Sequence, residues 1–142
     1  MDTPRTKVLI ADDYYAFRQA LKVMLSFEPD FEVVAEATSG RQTLEQAKRL
    51  KPSVIVMDLS MGTLSGVELV RQLIDNDPAV NILIVSGQAD QRVIDESLEC
   101  GAKGYISKSR SLSDVPKAVR KICKGQTFVR LARASRTADQ SV

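Results

Sequence analysis

Short apolar runs alternate along the chain with segments whose apolar residues recur every three or four positions. The runs fall at 7–11, 31–37, 54–57, 81–86 and 104–107. The run at 54–57 is wholly apolar and mostly β-branched, the pattern of a strand buried on both faces. The run at 31–37 alternates only in part, which predicts an edge strand with one wet face. Between the runs, Phe17, Leu21, Met24 and Leu25 share one face of a helix over about 14–28. Leu44, Ala47 and Leu50 do the same over about 40–50, behind a capping Ser39. Val67, Leu69, Val70, Leu73 and Ile74 mark a third helix. Val93, Ile94 and Leu98 mark a fourth over about 90–99. Leu112, Val115, Ala118, Val119 and Ile122 mark a fifth over about 111–124, with Pro116 in its first turn, where proline is tolerated. Glu28-Pro29-Asp30, Lys51-Pro52, Asp77-Pro78, Gly101 and Gly125 punctuate the pattern, and Gly62–Gly66 reads as a loop.

Five strand–helix units with short connections predict an α/β domain with a parallel sheet and helices on both faces. In such sheets ligands meet the carboxyl ends of the strands. The chain has 142 residues, enough for one domain with a sizeable core. The domain is expected to occupy 1–125. Residues 126–142, with Arg130, Arg133 and Arg136 among small polar residues, read as a linker stub or disordered tail, or as a basic arm. The net charge of +2 is too small to argue for nucleic acid or a membrane surface. No run approaches the roughly 20 apolar residues of a membrane span, and no signal peptide is apparent, so a cytoplasmic location is expected. Cys100 and Cys123 are far apart and read as buried or half-buried thiols. Histidine is absent, so any metal here would be held by oxygen, which favours Mg²⁺, Ca²⁺ or Mn²⁺.

The chemistry gathers at the strand ends. The first strand ends at Asp12-Asp13, the third at Asp58 in the stretch VIVMDLSMG, and the fourth at Ser86; the fifth leads into Lys108. Each alone reads as a cap, a turn or a solvated charge. Together they place three carboxylates at one point, where each raises the pKa of the others. A hard divalent cation removes that cost, and Mg²⁺ suits a carboxylate site completed by a phosphate. A carboxylate can act as a nucleophile and become an aspartyl phosphate. A lysine and a hydroxyl then stabilise the transferred group.

The stretches LIADDYYAFRQAL, VIVMDLSMGTLSGVEL, ILIVSG and AKGYISKS resemble the receiver domain of two-component response regulators, over about 6–125. The resemblance implies a flavodoxin-like (βα)5 fold, doubly wound, with five parallel strands in the order 2-1-3-4-5. It implies Mg²⁺, or alternatively Mn²⁺, on Asp12, Asp13, Asp58 and the Ser60 carbonyl. It makes Asp58 the phosphorylated residue, contacted by Ser86 and Lys108. Tyr105 is expected to turn inward on activation, and Ser60 and Gln88 to tune hydrolysis. The implied partners are a sensor histidine kinase and a second copy of the chain, as a homodimer formed on phosphorylation. The output face would be that of the fourth helix, fifth strand and fifth helix. Such a domain is a phosphoacceptor that catalyses only its own phosphorylation and slow autodephosphorylation. AKGYISKS and KGQTFV resemble the NarL/FixJ branch, which carries a LuxR-type helix-turn-helix that would bind DNA and control transcription. No such pattern occurs in these residues, and the sequence reads as an excised receiver, with a stand-alone receiver as the alternative. Two positions depart from the family. Gly62 stands where relatives usually have proline, which predicts a more flexible loop. Ser109 stands where many have proline after the lysine.

Three rivals share the architecture. A flavin-binding domain would want a hydroxyl- and glycine-rich loop after the first strand, where Asp12-Asp13 repels phosphate. A phosphatase of the haloacid-dehalogenase type would want a second Asp two residues after the first, where Ser60 stands. A phosphorylation-independent interaction module would keep the acid pocket as a relic.

Overall fold

The computed structural model describes residues 4–62, 64–87, 90–110 and 112–133. Its elements, in chain order, are β1 (Thr6–Ala11), α1 (Tyr15–Ser26), β2 (Phe31–Ala37), α2 (Gly40–Leu50), β3 (Val54–Met57), β4 (Ser60–Met61), β5 (Leu64–Ser65), α3 (Gly66–Asn76), β6 (Asn81–Ser86), α4 (Gln91–Glu99), β7 (Gly104–Ser107), α5 (Asp114–Cys123) and β8 (Phe128–Arg130). One sheet runs β2-β1-β3-β6-β7-β8, and every pairing in it is parallel. The five strands read from the sequence take the expected order, with β2 at an edge.

Alternate residues of each strand feed opposite layers, as the two-residue strand period requires. Leu9, Ile55, Met57, Ile82, Ile84 and Tyr105 pack with Leu69 and Leu73 of α3 and Ile94 of α4. Val8, Ile10, Val54, Val56, Leu83, Val85 and Ile106 pack with Leu21 and Leu25 of α1 and with Val115, Ala118, Val119 and Ile122 of α5. Each fully buried aliphatic side chain stabilises the fold by about 1.5–3 kcal/mol, so both layers anchor β3 at the centre. The Ser39 hydroxyl accepts from the Gln42 N–H, capping α2 as expected.

Two features differ from the sequence reading. The sheet has six strands rather than five, because Phe128–Arg130 pairs with β7. The sheet therefore continues past residue 125, into the segment read as a linker stub. Phe128 drives the pairing: it is 3% exposed and joins the second core layer. Three residues with one buried apolar side chain give too short a signal to read as a strand. The remainder of the expected tail, from 134 on and including Arg136, lies outside the described residues. β5 falls inside Gly62–Gly66, where a loop was expected, and pairs with β4 just before it in a small antiparallel hairpin. Gly62 opens its turn at φ +81°, a conformation closed to proline, whose ring holds φ near −65°. The role of Gly62 is thus a backbone shape.

Cys100 is half-buried; Cys123 is exposed, where a buried or half-buried thiol was expected. No described helix is long and apolar enough to cross a membrane.

Candidate functional site

The backbone ladder continues one residue past the central strands and brings their acidic ends together. Asp12 N–H donates to the Ala37 carbonyl and Asp58 N–H to the Ala11 carbonyl, each at 3.0 Å. Lys108 N–H donates to the Ser86 carbonyl at 2.9 Å. These bonds seat Asp12 beside Asp58 and Lys108 beside Ser86, at the carboxyl edge of the sheet.

Both oxygens of Asp58 are engaged. Oδ1 accepts from the Ser86 hydroxyl at 2.7 Å and from the Ser60 N–H at 3.0 Å. Oδ2 accepts from Lys108 Nζ at 2.7 Å. The same ammonium lies 2.8 Å from Asp12 Oδ2, an ionic contact without the alignment of a hydrogen bond. Asp12 Oδ2 is buried and has no hydrogen-bond partner among the described residues, while Oδ1 accepts from the Tyr14 N–H at 2.8 Å. Asp12 and Asp58 are buried and Asp13 is exposed, and their carboxylates offer oxygens within 4.8 Å of one another. A hard cation with oxygen ligands at about 2.0–2.6 Å brings opposed ligands roughly 4–5 Å apart. The spacing, the all-oxygen donor set and the buried Asp12 oxygen, which shares one ammonium with Asp58, all fit such an ion.

Burial pushes the Asp12 carboxyl above its ordinary range; the nearby Lys108 ammonium and the Tyr14 N–H only partly resist this, and the Asp58 charge adds to it. Burial works against the Lys108 ammonium too, but the two carboxylates outweigh it and hold its pKa above the ordinary lysine value.

Asp12, Asp13, Asp58, Ser86 and Lys108 therefore converge as the sequence predicts. Ser60 gives its amide to Asp58, a contact separate from the one expected of its carbonyl, which was to the metal ion. Tyr105 already lies inward: it is 1% exposed, and its hydroxyl donates to the Ser86 carbonyl at 3.4 Å. Gln88 lies outside the described residues. Sequence reasoning missed Phe17, which was read only as a helix-face residue. Its ring stands 4.4 Å from Lys108 Nζ and supports the lysine from the α1 side. An aromatic residue four positions after an acidic pair was the available signal, and it is a weak one.

Residues 8–120 match the family model described as the response regulator receiver domain. The chain is 34% identical over 125 residues to the transcriptional regulatory protein DegU of Brevibacillus brevis, covering 88% of this chain and 53% of that protein. It is 35% identical over 121 residues to the response regulator protein VraR of Staphylococcus aureus, covering 85% of this chain and 58% of that one. The chain thus spans little more than half the length of these curated relatives. Among solved structures, it superposes on the signal receiver domain of the putative response regulator NarL from Mycobacterium tuberculosis with a TM-score of 0.82 at 26% identity, covering 87% of this chain and all of that one. A LuxR-family two-component response regulator from Aurantimonas sp. gives 0.83 at 25% identity, covering 96% and 94%.

Proposed function

This chain belongs to the response regulator receiver domain family, and on that premise we propose that Asp58 is the phosphoacceptor of a two-component signalling system. The observation that carries this is the environment of Asp58. It ends the central strand with a hydroxyl on one oxygen, an ammonium on the other and two further carboxylates alongside.

Asp12, Asp13 and Asp58 would hold Mg²⁺ or Mn²⁺, joined by the backbone at Ser60. Such an ion, when bound, neutralises the charge of the phosphoryl oxygens. A carboxylate oxygen of Asp58 attacks the phosphorus of a phosphohistidine on a sensor kinase. The P–N bond breaks, and the imidazole leaves with its electron pair. Lys108 then pairs its ammonium with the new phosphoryl oxygens, and the Ser86 hydroxyl donates to one of them. The modified group carries about −1.5 to −2 charge at neutral pH. It favours whichever arrangement of the β6 and β7 ends binds it better, and only by that difference. Tyr105 spans both ends through its contact with the Ser86 carbonyl. The change would pass to the face of α4, β7 and α5, and from there to a homodimer and a DNA-binding region; that the output is transcriptional is supported by the name of the DegU relative, a transcriptional regulatory protein. Ser60, exposed two residues after Asp58, would influence hydrolysis of the phosphoryl group. The setting would be cytoplasmic.

Incubation with acetyl phosphate and Mg²⁺, followed by intact mass, tests the reading. The wild-type chain is expected to gain one phosphoryl group, and Asp58→Asn none. Equal gain by both, or no gain by the wild type, refutes it.

A further inference from the structure

Arg18 of α1 is tied to the acid pair from outside the site. Its side chain is 11% exposed. Nη1 donates to the Asp12 backbone carbonyl at 2.8 Å, and Nε donates to Glu36 Oε1 of β2 at 3.2 Å. Glu36 is itself held, accepting from Gln19 Nε2 and Lys22 Nζ, each at 3.1 Å. Burial raises the Glu36 carboxyl, but Lys22 and Arg18 outweigh that and hold it below its ordinary range. The clamp therefore stays charged at neutral pH. The Tyr15 ring packs 5.5 Å from the guanidinium. A planar fork held at two of its nitrogens has little freedom left.

The carbonyl that Arg18 grips belongs to the peptide joining Asp12 to Asp13. Rotation of that peptide swings the Asp13 carboxylate relative to that of Asp12. We propose that Arg18 is a positioning residue: held by Glu36, it fixes the Asp12–Asp13 peptide so that both carboxylates face one divalent cation. This rests on the cation-binding reading above.

Charge alone makes the opposite prediction. Arg18 is a cation beside an acidic site, so its removal should tighten Mg²⁺ binding if electrostatics dominated. Its removal should loosen binding if it positions the ligands. Outer partners of metal ligands typically change affinity by about 10–100-fold. The Glu36 partner partly cancels the charge of Arg18, so the loosening should prevail at about tenfold. Arg18→Lys separates the two roles. A lysine can keep the Glu36 ion pair, and with it most of the stability, but a single ammonium cannot fork to the Asp12 carbonyl.

Calorimetric titration of the full chain with Mg²⁺ alone, alongside urea unfolding, tests the proposal. The proteins compared are wild type, Asp13→Asn, Arg18→Ala, Arg18→Lys and Arg120→Ala, the last an ion-pair loss on the α5 side. Binding by wild type that Asp13→Asn loses supports the cation reading. Arg18→Ala and Arg18→Lys should then both bind about tenfold more weakly, with Arg18→Lys near wild type in stability and Arg120→Ala unchanged in affinity. Wild-type or tighter binding by Arg18→Ala overturns the proposal and leaves the cation reading standing. So does an affinity loss that merely tracks stability across the three arginine variants. A wild type that binds no Mg²⁺ overturns both.

Discussion

Replacing Lys108 with methionine removes one charge and little else. The new side chain has similar length and can still rest against the Phe17 ring. What goes is the ammonium 2.7 Å from Asp58 Oδ2 and 2.8 Å from Asp12 Oδ2. Those carboxylates are 7% and 2% exposed, so water replaces the lost partner poorly. Removing one member of a buried pair costs about 3–5 kcal/mol. Lys108 is itself 25% exposed, and screening at that edge lowers the expected cost to about 2–3 kcal/mol. Unfolding entropy of roughly 2.1 cal/mol/K per residue converts this to a fall in Tm of about 7–10 °C. The deficit has two routes of relief. Asp12 is already pushed upward by burial. A carboxyl raised above its unfolded value is fully stabilising only below that value and loses its contribution as pH rises through the folded value. Without Lys108 the rise is larger, so the deficit should be greatest near pH 7 and shrink toward pH 5. Divalent cation is the second route: Mg²⁺ should stabilise the variant more than the wild type, by mass action. Urea unfolding at both pH values, with EDTA or with Mg²⁺, measures all of this. A variant as stable as wild type near pH 7 in EDTA, or a deficit that ignores pH, would show that the lysine does not neutralise these acids.

Gly66→Ala should cost about 2–4 kcal/mol, because an added Cβ would lie 2.5 Å from the Leu59 carbonyl oxygen and 2.6 Å from its Cα, backbone atoms that yield poorly; chemical denaturation reads the cost, and slower phosphorylation should accompany it because Leu59 adjoins Asp58. Phe128→Ala should cost about 3 kcal/mol and speed amide exchange in β7 and β8 ahead of the other strands, and exchange that stays slow there would mean β8 does not protect the sheet edge. Arg120 grips Asp30 at 2.8 and 2.9 Å and, through that hydrogen bond, holds its carboxyl below the ordinary range. Stability from a depressed carboxyl is present above about pH 4 and lost as pH falls through its folded value. Arg120→Ala should therefore flatten the acid limb by a few tenths of a kcal/mol, since Asp30 is 48% exposed, and an acid limb as steep as in the wild type counts against the pair.

The parts of the fold legible in the sequence were those whose signal is repeated. β3 and β6 announce themselves because both faces are buried, so consecutive apolar residues are required. The site was legible because five polar residues stand where apolar strands stop, and a parallel sheet gathers those ends. β8 was not legible, since a single residue, Phe128, does its packing. Nor was the hairpin of β4 and β5, whose turn depends on one left-handed glycine. Phe17 and Arg18 were hidden for another reason. Helical spacing places Phe17 toward the core and Arg18 beside it, but the period cannot say that one side chain rests on a lysine from a distant strand end. It is equally silent on the other's grip on a backbone carbonyl six residues earlier.

The sixth strand also has a mechanical meaning. β8 lies parallel to β7 over three residue pairs, and just beyond it the Leu131 carbonyl accepts from Arg110 Nε at 3.0 Å. Tension applied to the chain past Arg133 pulls along the strand, so it loads those pairs in shear, and they must yield together. The same pull acts on Arg110, two residues beyond Lys108. The sheet's last seam is thus its force-bearing one, and strain entering there reaches the lysine loop through Arg110 and the core through Phe128.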